Sequence, residues 1–216
     1  MAKLRILIAD DHSIVRRGLR AILESEPEYE VCAEAVNGRE AVEKVKRVKP
    51  DLAVLDITMP ELNGLEATRQ ILKEAPRTEV LILTMHSSEE MADEALRAGA
   101  RGVVLKSDAD SELVAAVRAL RAHKPYLTPQ ATEFVLDRYL KKSTPENISS
   151  FVLLTSRERE VIQLVCEGKS NKEVAGSLGV GVKTVEAHRS SVMHKLRLHS
   201  VSELVRYAIR NKIVGA

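Results

Sequence analysis

Apolar residues follow two rhythms along the first 122 positions. Short runs rich in Val, Ile, Leu and Ala stand at 3–9 (KLRILIA), 29–35 (YEVCAEA), 51–56 (DLAVLD), 79–84 (EVLILT) and 101–106 (RGVVLK). Between them, 13–24, 38–48, 64–75 and 88–98 carry apolar residues every three or four positions, as in Ile14, Leu19, Ile22 and Leu23, and 110–122 adds a fifth such stretch. The first rhythm predicts strands and the second amphipathic helices. Because several of the strands are apolar on both faces, the pattern predicts an α/β fold, a doubly wound five-stranded parallel sheet with helices on both sides.

The alternation stops near residue 123. The segment HKPYLTPQATEFVLDRYLKKSTPENISS has scattered prolines and a polar end, and reads as a linker over 123–149 with a short helix from Pro129 to Leu140. After Phe151 no strand-like run returns. Helices are expected at 156–167, 171–178, 182–196 and 200–211, interrupted by Gly168, Gly179, Gly181 and Leu198, with Thr155 or Ser156 capping the first. The predicted domains are therefore 1–122, α/β, and 150–216, a small all-α unit.

Composition refines this picture in three ways. Aromatic residues are only 3% of the chain and Trp is absent, so the core must be built from aliphatic side chains. Net charge is +2, but residues 1–125 hold 19 Lys/Arg against 22 Asp/Glu and the remainder 14 against 9, giving halves of −3 and +5. A basic second half suits a polyanionic partner, and the opposite charges and short linker suggest that the two halves shield one another. Cys32 and Cys166 are far apart in apolar company, as expected of buried free thiols, and no run approaches the length of a membrane span. A soluble cytoplasmic protein is the expectation.

In an open parallel sheet the carboxyl ends of the strands share one edge, where ligands bind. Here those ends are Asp10 and Asp11, Asp56, Thr84 and Lys106. Clustered carboxylates call for a hard divalent cation, with Mg²⁺ the natural candidate, held by Asp11, Asp56 and the main-chain carbonyl of Thr58. A free oxygen of Asp56 is then placed to attack a phosphoryl group, with Thr84 and Lys106 receiving the added oxygens. An aspartate-nucleophile phosphatase is a rival reading, but such enzymes want a second acid two residues on, where this chain has Thr58.

In the basic half, NKEVAGSLGVGVKTVEAHRSSVMHKL reads as helix, tight turn, helix. Val185, His188, Val192 and Leu196 form an inner stripe on the second helix, and Lys183, Glu186, Ala187, Ser190 and His194 lie opposite. That is the layout of a helix-turn-helix whose second helix enters the major groove.

The set DD (10, 11), LDITMP with Gly64 eight residues after Asp56, LT (83, 84) and LK (105, 106) resembles the receiver domain of two-component response regulators. LTSREREV, NKEVA and KTVEAHRSSVMHKL resemble the LuxR-type DNA-binding domain of their NarL/FixJ branch. The resemblance implies strand order 2-1-3-4-5. It implies that Asp56 accepts a phosphoryl group from a histidine kinase, that Asp10 and Asp11 serve Mg²⁺, and that Thr84 and Lys106 sense the phosphate. It further implies that Lys183, Thr184 and Ala187 face bases or phosphates, with Arg189 and Lys195 on the DNA backbone and Glu186 and Ser190 beside them. The last helix would support a homodimer on two half-sites of double-stranded DNA. Two positions depart from the family pattern. Val103 stands where many receivers have a switch Tyr or Phe, and Met85 replaces a small residue after Thr84, where it would narrow access to Asp56. These departures keep open a regulator of the same architecture that answers to a ligand or protein rather than to phosphorylation. His86 reads as an exposed loop residue.

Overall fold

The computed structural model describes residues 3–85, 89–129, 131–133, 154–211 and 213–214. Five strands, β1 (Leu4–Ala9), β2 (Tyr29–Ala35), β3 (Leu52–Asp56), β4 (Glu79–Thr84) and β5 (Gly102–Leu105), alternate with α1 (Ser13–Glu24), α2 (Gly38–Val48), α3 (Gly64–Glu74), α4 (Glu89–Ala98) and α5 (Ala109–Arg121). All pairings are parallel, in the order β2-β1-β3-β4-β5 with a further strand at the end.

That further strand corrects the expected count of five. β6 (Tyr126–Leu127) lies parallel to β5, with Gly102 opposite Tyr126 and Val103 opposite Leu127. Its two residues come from the segment read as linker, too short for any periodicity to declare them. The β6 main chain covers the β5 edge, and the Tyr126 hydroxyl donates to Glu112 on α5. Of the linker helix expected from Pro129 to Leu140, most lies outside the described residues.

The sheet divides the apolar residues into two layers. Leu7, Ala53, Leu55, Val80 and Ile82 face α2, α3 and α4, and Ile6, Ile8, Val54, Leu81 and Leu83 face α1 and α5. β3 is buried along its whole length. Burying both faces of a strand removes on the order of 2 kcal/mol of apolar exposure per large side chain from water, which fixes the register and so the position of the residue that ends the strand.

The second unit comprises α6 (Ser156–Cys166), α7 (Asn171–Leu178), α8 (Val182–Leu196) and α9 (Val201–Arg210). Thr155 caps α6 and Ser170 caps α7, each in a reciprocal capping box with the glutamate three residues on, Glu158 and Glu173. Gly179 ends α7 in the left-handed conformation, φ 64°. Val185 and Val192 of α8 are buried, as the inner stripe requires, whereas His188 is half-buried. Both cysteines are free and half-buried rather than fully enclosed, and burial pushes the Cys166 thiol up to about 11.

The two units touch through α6. The Gln163 side chain, fully buried, accepts from the Asn63 N–H at 2.8 Å and donates to the Met59 carbonyl at 2.8 Å. Glu167 accepts from the Glu61 N–H at 2.9 Å. Beside them the buried Glu66 carboxylate accepts from Arg159, Ser156 and Arg69. Glu160 takes Gln70 at 3.3 Å and faces Arg39 at 3.6 Å. The halves are thus joined by hydrogen bonds and by the ion pairs Arg159–Glu66 and Arg39–Glu160, all made through α6. No described helix is long and apolar enough to cross a membrane.

Candidate phosphoryl-acceptor and nucleic-acid sites

β1 and β3 are neighbours, so Asp10, immediately after β1, and Asp56, ending β3, meet at the carboxyl edge of the sheet. Both are buried, at 0% and 4% exposure, a placement carboxylates rarely take unless paired. The cation is Lys106, whose Nζ stands 2.6 Å from Asp10 Oδ2 and 2.9 Å from Asp56 Oδ2. Thr84, at the end of β4, is also buried. Asp11 is more exposed, with its carboxylate 2.8 Å from His12 Nδ1. The His12 N–H donates to Asp10 Oδ1 at 2.8 Å, and Arg16 donates to the Asp10 carbonyl at 2.8 Å.

Ligand atoms of Asp10, Asp11, His12 and Asp56 lie within 4.8 Å of one another. Three of the four donors are carboxylate oxygens, the donor type a hard cation such as Mg²⁺ takes. The residues present therefore fit that ion.

Burial pushes the Asp56 carboxyl up to about 6, although the charge and hydrogen bond of Lys106 pull it down. Burial opposes the charge on Lys106 in turn, but hydrogen bonding to Asp10 and the charge of Asp56 outweigh it, and its pKa is raised. One ammonium thus answers for two buried acids. A divalent ion would relieve the shortfall.

The loop after Asp56 has little freedom. Gly64 begins α3 and donates its N–H to the Ile57 carbonyl at 2.8 Å. Asn63 caps the helix through its side chain and the Glu66 N–H, and Gly38 donates to the Leu62 carbonyl at 3.1 Å. Glu61 holds a positive φ of 65°, which costs a non-glycine residue roughly 1–2 kcal/mol. Thr58 is half-buried within this loop.

Of the two departures, Val103 is buried at 3% in the layer with Met91, Ala95 and Leu127. Its carbonyl accepts from the Thr128 N–H at 3.4 Å. Met85 is 72% exposed, so it does not close over Asp56 as expected; the chain leaves the sheet there and the side chain faces water. His86 lies outside the described residues.

On α8, Lys183, Thr184, Glu186, Ala187 and Ser190 are exposed, and Arg189 is half-buried. The outward face is exposed while the two units are docked. Lys195 has a different partner from the one expected: its Nζ reaches both Glu158 oxygens at 2.8 and 2.7 Å. Glu158 is buried, and although burial pushes its carboxyl up, hydrogen bonds from Lys195, Thr155 and Ser191 hold it at about 2. Lys195 therefore ties α8 to the start of α6. The residues that sequence reasoning missed are Gln163, Glu66 and Arg159. Glu66 and Arg159 read as ordinary polar faces of amphipathic helices, and only the docking of the two units makes them buried partners.

Comparison with known proteins agrees with both halves. Residues 6–118 match the model of the response regulator receiver domain, and 152–208 that of bacterial regulatory proteins of the luxR family. The chain is 40% identical over 216 residues to the oxygen regulatory protein NreC of Staphylococcus epidermidis, covering 98% of this chain and 99% of that one. It resembles the crystal structure of a LuxR-family two-component response regulator from Aurantimonas sp. SI85-9A1, at 37% identity and TM-score 0.62, over 65% of this chain and all of that one. It also resembles the response regulator RcsB in its complex with DNA, at 25% identity and TM-score 0.60, over 95% and 97% of the two chains.

Proposed function

Because the chain belongs to the two-component response regulators that join a receiver domain to a LuxR-type DNA-binding domain, we propose that it is switched by phosphorylation of Asp56. The observation that carries this reading is the buried Asp10–Lys106–Asp56 arrangement, with Lys106 Nζ 2.6 and 2.9 Å from the two acids. Asp10, Asp11, Asp56 and the Thr58 main-chain carbonyl would hold Mg²⁺. That ion would supply positive charge against the phosphoryl oxygens.

In the acceptor step an Asp56 oxygen forms a bond to phosphorus while the donor's own bond to phosphorus breaks and its electron pair leaves with the donor. The group must be ionised to act; burial pushes its carboxyl up to about 6 in the metal-free protein, and a bound cation would favour the charged form. Thr84 offers a hydroxyl and Lys106 an ammonium to the new oxygens. The donor is a phosphohistidine of a partner kinase. The protein is no enzyme toward an outside substrate, and it works in the cytoplasm as a homodimer when phosphorylated or DNA-bound.

The exposed face of α8 enters the major groove. Lys183, Thr184, Ala187 and Ser190 meet base edges and phosphates, Arg189 meets the backbone, and Glu186 accepts from cytosine N4 or pairs with Lys183. Since that face is already open while the units are docked, pairing of two chains on two half-sites explains activation better than uncovering of α8. The test is binding to a duplex selected by the full-length protein from a random pool, before and after treatment with Mg²⁺ and a small acyl phosphate. Tighter binding after treatment, absent in Asp56→Asn, is the expected result, and equal binding would refute the reading.

A further inference from the structure

The loop that follows Asp56 is held by the other domain. Gln163, on α6 and 0% exposed, puts its carbonyl oxygen on the Asn63 N–H and its amide nitrogen on the Met59 carbonyl, both at 2.8 Å. The same amide nitrogen donates at 2.9 Å to Glu167, whose carboxylate takes the Glu61 N–H. One side chain therefore spans the loop from Met59 to Asn63, and its neighbour fixes the residue between them whose φ is 65°. Met59 directly follows Thr58, and Asn63 directly precedes Gly64, which abuts the Asp56 carbonyl.

We propose that Gln163 is a positioning residue for the metal side of the receiver: the DNA-binding domain completes the site by holding the 57–64 loop in the shape that presents the Thr58 carbonyl. This rests on the reading of the Asp56 edge as a Mg²⁺ site. The physical reason is preorganisation. The loop contains a residue in an unfavourable backbone region and is gripped by a buried amide that satisfies one donor and one acceptor at once. Without that grip the loop must be ordered when the ion binds, and the affinity falls by the cost of ordering it. Groups that orient ligands without touching the metal commonly change its affinity by tenfold or more.

If docking favours the ion, the ion favours docking by the same factor. The state of the acceptor edge is then felt directly at α6, a route that bypasses the position where this chain has Val103.

The test is calorimetric titration of the full-length protein with Mg²⁺ alone, with no phosphoryl donor. Gln163→Leu keeps the volume and removes the three hydrogen bonds of its amide, and is expected to weaken binding by about tenfold. Glu167→Ala, an exposed position, removes the hold on Glu61 and one of the three bonds of the Gln163 amide, leaves those to Met59 and Asn63, and is expected to weaken it less. Gln70→Leu breaks another interdomain bond, to Glu160, and touches none of the bonds that Gln163 and Glu167 make to the loop, so it is expected to leave the affinity unchanged. Unchanged or tighter binding in Gln163→Leu would overturn the proposal, as would an equal loss in Gln70→Leu or a wild-type protein that takes no Mg²⁺. A wild-type protein that binds Mg²⁺ with the expected order of affinities but is never phosphorylated would instead refute the Asp56 reading and leave this one standing.

Discussion

Gly64 lies so close to Asp56 that a Cβ at position 64 would fall 2.0 Å from the Asp56 carbonyl oxygen. No side chain of any size fits that gap, which explains a glycine at the first position of a helix. Gly64→Ala must push the β3–α3 loop away, and the destabilisation expected from such overpacking is about 1–3 kcal/mol. Chemical denaturation measures it, and Mg²⁺ binding by the same variant should weaken because the Thr58 carbonyl moves with the loop.

The Lys106 ammonium faces both buried acids of the edge. Removing it in Lys106→Met leaves Asp10 and Asp56 facing one another, a loss of about 3–5 kcal/mol for a broken buried pair. Part of that loss should return on adding Mg²⁺. Melting curves with and without the ion check this, and a variant as stable as wild type in metal-free buffer would contradict it.

Asp56 also predicts a pH dependence with a definite sign. Its folded pKa, about 6, lies above the ordinary 3.8, so the folded protein keeps a proton that the unfolded chain has lost. The stabilisation this gives is fully present below 3.8 and is lost as pH rises through about 6. Relative to wild type, Asp56→Asn should therefore gain about 1–3 kcal/mol between these limits in metal-free buffer. Urea denaturation at a series of pH values measures the difference, and a flat difference would contradict the assignment.

Lys183 and Lys195 should separate cleanly. Lys183 is exposed on the outer face of α8, so Lys183→Ala should weaken DNA binding and reduce the salt slope by about one, with stability unchanged. Lys195 bonds both oxygens of the buried Glu158. Lys195→Met should destabilise the helical unit by about 1 kcal/mol, since the ammonium is partly in water and Glu158 keeps its bonds to Thr155 and Ser191. Because Glu158 is held at about 2, its stabilisation is present above the ordinary 4.5 and lost as pH falls through about 2. Glu158→Gln should flatten that acid limb.

The elements themselves were legible because each strand or helix buries a face whose period is visible in the chain. β2 and β4 occupy 29–35 and 79–84 as read, and α7 and α8 occupy 171–178 and 182–196. The acceptor edge was legible for the same reason: once the strands are known, their last residues must meet. What could not be read depends on contacts between segments distant in sequence. β6 has two residues and exists only because the β5 edge is open to it. Gln163 carries no local sign of its task, since its partners lie 100 and 104 residues away. Lys195 sits at a position that a free helix would leave to phosphate, and only the burial of Glu158 on α6 claims it.

The central claim, that Asp56 is the group modified, is tested most directly by intact mass. The full-length protein is incubated with Mg²⁺ and a small acyl phosphate, alongside Asp56→Asn and a chelator control. The expected result is a gain of one phosphoryl group in the wild type alone. No gain in the wild type, or an equal gain in Asp56→Asn, would contradict it.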